Sequence, residues 1–494
     1  MRTNKISDEE RIKAFKLAKK PEVIEKQKLN VRYHVEDFDV NDRPRRFLEA
    51  FAAILKHSNY RMALDHYSRV VSRCALCATT CQIYQATGDL EDIPCRRSEL
   101  LLNVYRRHFT LGGLLKGRIS GKDFLTDEKI QEMADGFWNC TACRRCTLEC
   151  PMGVDHGLIT HLGRYILSEI GIAPRALVVS TREQLEGASR NTSAIPIPAL
   201  KDTLEFLEDD MLEEKSVNIK FPIDVDGSDY VFFPAVSDFL MEAETLMGIA
   251  AVFTATGDSW TIGTGYYDGI NYGLFYNDRI MERIIRNVDE ETDRLHGKNV
   301  LIGECGHASR TAKNFMPTFC GGKDARCVVS ILEYTHKVWK EGKLKLDPNV
   351  VTEKVAYHDP CNFARQRWIV NQPREVLKSF CKNYVEMTPS GENNICCGGG
   401  GGTVSIDEIR PYRTTVGGKL KADQIRKSGC DILVAPCANC KKQLRELVED
   451  QGINCQVVGL HDLIYKAIIF DDSLIVKKEG LIFDKPDFSS KEEN

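Results

Sequence analysis

Residues 138–151 read Trp-Asn-Cys-Thr-Ala-Cys-Arg-Arg-Cys-Thr-Leu-Glu-Cys-Pro, and the spacing C-x2-C-x2-C-x3-C-P limits the fold more than any other feature of the chain. Three thiols two residues apart converge only in a tight loop around a common centre. This is the spacing with which ferredoxin-type loops hold cubane [4Fe–4S] clusters, the fourth cysteine turning away to a second cluster. Cys74, Cys77 and Cys81 repeat the last three positions, with Val71 where the first cysteine would stand. Cys95, in Ile93-Pro94-Cys95-Arg96, lies close enough to supply the missing ligand. Exchange of the fourth ligands then assigns Cys74, Cys77, Cys95 and Cys150 to one cubane, and Cys81, Cys140, Cys143 and Cys146 to the other. A buried free thiol is the alternative for Cys95. Zinc is the rival for the whole set, disfavoured by four regular cysteines ending in Cys-Pro.

A different pattern follows residue 350: Cys361, then Cys396-Cys397 running into Gly398–Gly402, then Cys437-Ala438-Asn439-Cys440. Adjacent cysteines on an extended strand cannot both face one ordinary cubane, so this pair demands a sharp turn or a split metal site. The glycines permit both, since they accept positive φ and let backbone N–H groups approach anionic sulfides. No Gly-Lys-Ser/Thr follows, and the run is too short for a dinucleotide fingerprint, so neither flavin nor NAD is expected. A glycine turn beside a zinc site is the plainer alternative.

Composition excludes several classes. With 67 basic and 71 acidic side chains, the net charge of −4 makes no electrostatic case for nucleic acid. The opening stretch Met1–Glu10 has no apolar core of a signal peptide, and no run of about 18 apolar residues offers a membrane span. Cysteines in metal-type spacings point to a reducing, cytoplasmic compartment.

The pattern predicts an α+β multidomain chain. An N-terminal helical segment (1–60) starts with a capping box at Ser7–Glu10, stops at Pro21 and continues with the apolar run Phe47–Leu55, which packs on its own domain or docks a partner. A mostly α-helical ferredoxin-like 2[4Fe–4S] domain (61–190) follows, then a linker or surface excursion (191–225) containing Pro196, Pro198 and the acidic stretch Glu205–Glu214. Short β-branched runs at 230–233, 300–302, 355–357 and 432–434 then alternate with helical stretches, an α/β signature. Phe233-Pro234-Ala235 parallels Asp359-Pro360-Cys361, and Gly303–Ala308 parallels Ala435–Cys440, which predicts two related halves, 226–345 and 346–470, before a charged tail, 471–494.

At these residues the chain resembles the CCG-domain family, the cysteine-rich proteins of the heterodisulfide reductase type. Cys361, Cys396, Cys397, Cys437 and Cys440 match the five-cysteine motif one for one, and the resemblance covers roughly residues 70 to 470. It leans toward the DsrK-, TmcB- and HmcF-type cytoplasmic subunits of sulfate-reducer membrane redox complexes. It implies two cubane clusters serving one noncubane [4Fe–4S] cluster, held by those five cysteines, at which a disulfide or trisulfide is reduced. It also implies a quinol-linked membrane cytochrome b subunit as electron source, a small sulfur carrier of the DsrC type as substrate, and a peripheral place on the inner face of the cell membrane. Catalytic candidates are Cys397, Cys305 and His307, with Arg310 beside them and Lys441 and Lys442 guiding an acidic peptide arm; His358 and His461 are weaker proton donors. The first half departs from the motif: Ala235 replaces its first cysteine, Gly257–Trp260 lies near the expected pair, and only Cys305 remains of the closing pair, so no second noncubane cluster is expected. Two other classes stay open: an electron-transfer subunit of a flavin dehydrogenase of the glycolate or glycerol-3-phosphate type, and a cluster-assembly scaffold.

Overall fold

The computed structural model describes residues 31–33, 41–120, 124–322 and 326–476. The expected capping box at Ser7, the stop at Pro21 and the tail beyond residue 476 lie outside the described residues.

The first 190 residues are helical where described. In the helix Arg43–His57, apolar residues recur at Phe47, Phe51, Ile54 and Leu55, one stripe of a 3.6-residue period, and all four are buried. Phe51 meets Phe109 at 4.7 Å and Tyr105 at 6.2 Å, so this helix packs on its own domain, against Pro94–His108. Pro94 opens the latter helix at a position where no N–H is missed, and that places Cys95 in its first turn. Helices Asp127–Trp138 and His156–Ser168 flank the ferredoxin-type loop and bury Phe137, Trp138, Leu162 and Ile166 between them.

The segment expected as a linker contains the 19-residue helix Ile197–Lys215. Its acidic residues are spread along solvent-facing positions, while Leu200, Leu204, Leu207 and Met211 fall on one face and are buried. The charge run masks this apolar stripe in the sequence.

Beyond it stand two parallel four-stranded sheets. In the first, β1 (Tyr230–Phe233), β2 (Trp260–Thr261), β3 (Asn299–Ile302) and β4 (Cys327–Ser330) are ordered β2-β1-β3-β4. A two-stranded antiparallel ribbon joins β5 (Lys345–Leu346) to a late strand, Ile468–Ile469. In the second sheet, β6 (Val355–Tyr357), β7 (Tyr384–Val385), β8 (Ile432–Val434) and β9 (Gln456–Val458) are ordered β7-β6-β8-β9. Both sheets therefore have the order second, first, third, fourth strand. Parallel sheets gather their chemistry beyond the carboxyl ends of the strands. The turns after β3, β6 and β8 carry Cys305, Cys361 and Cys437 there.

Candidate metal centres

The two ferredoxin-type runs share one backbone device. Ala142 (φ 49°) and Arg144 (φ 60°) adopt left-handed conformations between the cysteines of the second run, as do Arg73 (φ 54°) and Ala75 (φ 59°) in the first. The equivalence aligns Val71 with Cys140, and Cys74, Cys77 and Cys81 with Cys143, Cys146 and Cys150.

Cys81, Cys140, Cys143 and Cys146 line a single cavity together with Arg97 and Thr141. Arg97 is 3% exposed, its Nη2 lies 3.6 Å from Cys81 Sγ, and its Nε and Nη1 have no partner. A buried guanidinium with two unmatched nitrogens facing four thiols fits an anionic cluster and little else. These residues thus form an inner site. At the outer site Cys77 and Cys95 are in contact. Cys77, with the backbone N–H groups of Ala75, Cys95 and Arg96, holds the Cys95 thiol down to about 6. Cys146 packs on this pair, between the two sites. Cys74 is exposed, and Cys150 lies half-buried against the helical core.

In the second sheet the adjacent cysteines touch each other but turn to different neighbours. Cys396 touches Cys361, whereas Cys397 touches Cys440, which in turn touches Cys437. Cys361 and Cys396 form one lobe, Cys397, Cys437 and Cys440 the other. His358, directly after β6, places a ring nitrogen within 4.8 Å of the Cys397 and Cys440 thiols. The imidazole is fully buried with both nitrogens unpartnered, and burial pushes its pKa well below the ordinary value. Neutral and orphaned beside two thiols, it fits a ligand or a hydrogen-bond donor to a cluster. By sequence alone His358 ranks low; the available signal is its place at the carboxyl end of a strand, three residues before the first motif cysteine.

The inner site and the split site meet. Cys143 is in side-chain contact with Cys396, and this contact, followed by burial, pushes the Cys143 thiol well up. The approach depends on glycine. A Cβ on Gly400 would collide with the Thr141 carbonyl, and one on Gly401 (φ 67°) would lie 3.1 Å from Ala142 Cβ. Two buried arginines pin the joint. Arg164 donates to the Phe137 and Cys140 carbonyls on one side and to Gly401 O, at 2.8 Å, on the other. Arg365 donates to Cys143 O at 3.2 Å, to Asn394 O at 2.7 Å and to Glu392 O. No spacing rule marks either arginine.

Cys305 is fully buried, and both burial and the touching Cys437 raise its pKa well above the ordinary value. Cys305 and Cys437 occupy the same local setting: each precedes a helix, and each N–H donates to the carbonyl two residues back at 2.7 Å. His307 Nδ1 lies 3.2 Å from Cys305 Sγ and 3.2 Å from Asn439 Nδ2. Its ring stacks on Tyr272. Arg310 reaches the other lobe, donating to Asn362 Oδ1 at 3.0 Å. Lys441 does not guide a partner: it is fully buried, 3.3 Å from Glu242 and 2.6 Å from Thr245 Oγ1, because its position on the helix Ala438–Asp450 faces the first half. Lys442 is the more exposed of the two and pairs with Asp407. His461 is bound between Glu304 and Thr335, a structural role.

The chain matches two family models: a 4Fe-4S dicluster domain over residues 72–154 and a cysteine-rich CCG domain over 355–445. It is 27% identical over 475 residues to an Hdr-like menaquinol oxidoreductase iron-sulfur subunit 2 of Archaeoglobus fulgidus, covering 86% of this chain and 83% of the relative. It is 24% identical to one of the subunits of a dihydromethanophenazine:CoB–CoM heterodisulfide reductase of Methanosarcina barkeri, covering 80% and 93%. A more partial likeness, 22% identical over 68% of this chain and 47% of the relative, is to an EtfAB:quinone oxidoreductase of Syntrophomonas wolfei. With a dicluster loop abutting a complete five-cysteine set, the chain is an iron-sulfur oxidoreductase similar to the heterodisulfide reductase-like CCG subunits.

Proposed function

We propose that the chain takes electrons singly at the outer site, passes them through the inner site, and delivers them at the split site to an S–S bond. The observation that carries this reading is the Cys143–Cys396 contact, which continues a line of thiols from Cys95 and Cys77 through Cys146 and Cys143 to Cys396, Cys397, Cys440, Cys437 and Cys305. Bound clusters, two cubane and one noncubane, supply the one-electron steps. Cys150 with the outer set and Cys81 with the inner would serve as the fourth ligands exchanged between the runs. The two sheets, equal in strand order, are read as two related CCG halves following a 61–190 cluster domain, the first half having lost its own cluster.

Reduction of R–S–S–R takes two electrons and two protons and releases two thiols. If Asn439 donates to His307 Nδ1, the proton rests on Nε2, which is 3.7 Å from Cys305 Sγ, so His307 is placed to hold a proton beside the reacting sulfurs. Access is through a cavity of about 650 Å³ bounded by all three units, with Ala142 and Arg144, Phe275, Arg310 and Gln366 on its walls. Phe275 lies 5.3 Å from the His307 ring. Among the described residues Arg310 is in no ion pair with a carboxylate, its Nε is unpaired, and burial, with Arg144 close by, pushes it down to about 9. It suits the carboxylate end of a peptide arm, so we take the substrate to be a trisulfide or disulfide on a small carrier protein of the DsrC type rather than a free heterodisulfide.

Among the described residues no helix is long and apolar enough to cross a membrane. The helix Leu111–Ser120 exposes Leu111, Leu115 and Ile119 on one face, at 85%, 62% and 87%. That face supports seating on a quinol-linked membrane cytochrome b partner at the inner side of the membrane. The likeness to an EtfAB:quinone oxidoreductase keeps a second reading, an electron-transfer subunit of a flavin system. Assay of the anaerobic protein with a reduced artificial donor decides: faster turnover of the carrier-bound trisulfide supports the proposal, equal or faster turnover of a small heterodisulfide overturns the carrier, and no turnover of either supports the flavin-linked reading.

A further inference from the structure

We infer that Cys430 and Cys455 form a separate redox site, a dithiol oxidised to a disulfide by low-molecular-weight disulfides. Neither residue belongs to a cluster motif. Their Sγ atoms are 3.5 Å apart. Cys430 stands two residues before β8 and Cys455 one residue before β9, neighbouring parallel strands in which Ile432 pairs with Gln456. Adjacent strands run roughly 4.8 Å apart, which suits the Cα separation of a disulfide. A side-chain rotation therefore closes the bond without moving the sheet.

Both thiols sit at the amino ends of their strands, the edge opposite to the cysteine lobes. Cys437 leaves the other end of β8 seven residues after Cys430, roughly 20 Å away at the rise of an extended chain. The pair thus acts without touching the cluster ligands. Cys430 is 4% exposed, whereas Cys455 is half-exposed and opens the pair to solvent. The neighbouring Cys455 and Ser428 hold the Cys430 thiol down to about 7, so a substantial thiolate fraction is present near neutrality.

The chemistry is thiol–disulfide exchange. The thiolate of the pair attacks one sulfur of R–S–S–R, forming a mixed disulfide and releasing RS⁻. The second cysteine loses its proton, attacks the first, and releases the other RS⁻. The protein dithiol loses two electrons and two protons, and the oxidant becomes two RSH. The resulting bond encloses residues 431–454, which include Cys437, Cys440 and the helix between the lobes and the surface.

The test uses the full-length, cluster-loaded protein, incubated anaerobically with oxidised glutathione, then alkylated under denaturing conditions, digested and weighed. We expect the peptides of Cys430 and Cys455 to be cross-linked, reversibly with dithiothreitol, while the visible absorbance of the clusters is unchanged. The rate should rise as pH passes through about 7. In Cys455→Ser, glutathione should remain on Cys430 as a mixed disulfide, since nothing displaces it. Two outcomes overturn the inference: both residues stay alkylatable as free thiols in excess oxidised glutathione, or the cross-link forms only after cluster absorbance is lost.

Discussion

Cys143 and Cys397 occupy the two ends of the joint, and their substitutions should differ in kind. Cys397 touches only its own site, through Cys396 and Cys440. Cys397→Ala should abolish reduction of a sulfur substrate by artificial donors while both cubane signals persist in electron paramagnetic resonance. Cys143 lines the inner cavity and also touches Cys396. Its alanine variant should lose the inner cubane signal and perturb that of the split site as well, leaving the outer cubane intact. Loss of every signal in both variants would instead report coupled unfolding. The spacing of the cysteines made the ferredoxin-type runs legible in the sequence, because such ligand loops are local. The double contact of Cys143, the orphaned imidazole of His358 and the burial of Lys441 were not, because each depends on what residues distant in the chain place beside it.

At the level of elements, the glycine run and Arg365 act as one hinge-free joint. Arg365 satisfies three carbonyls drawn from the cubane loop and from the segment before Cys396. Arg365→Met leaves these buried acceptors unmatched and should cost about 3 kcal/mol, at about 1 kcal/mol for each lost bond; anaerobic denaturant unfolding measures it. Gly400→Val should be milder on stability of the isolated units but should slow reoxidation of the cubanes by substrate, since the Thr141 carbonyl has to give way. An unchanged rate in stopped-flow absorbance would detach this loop contact from electron delivery. The strands at 230–233, 300–302, 355–357 and 432–434 were readable as β-branched runs bounded by turns. The helix Ile197–Lys215 was not, because its charge density outweighed a four-residue apolar stripe that only packing reveals.

For the whole molecule the cleanest measurement is metal content. Two cubanes and one noncubane cluster require about twelve irons per chain, with zinc near zero. About eight irons would remove the split site, and about sixteen would mean that the first sheet, which brings Cys305 to the split site, holds a cluster of its own.

The closure between the cubane loop and the glycine run also constrains how the protein is made. Cys143, on the wall of the inner cavity, touches Cys396, and Arg164 and Arg365 tie the cubane loop to the glycine run and to the segment before Cys396. Cluster loading at the inner site and docking of the C-terminal half are thus expected to be coupled, since Cys143 belongs both to the cavity wall and to the contact with Cys396.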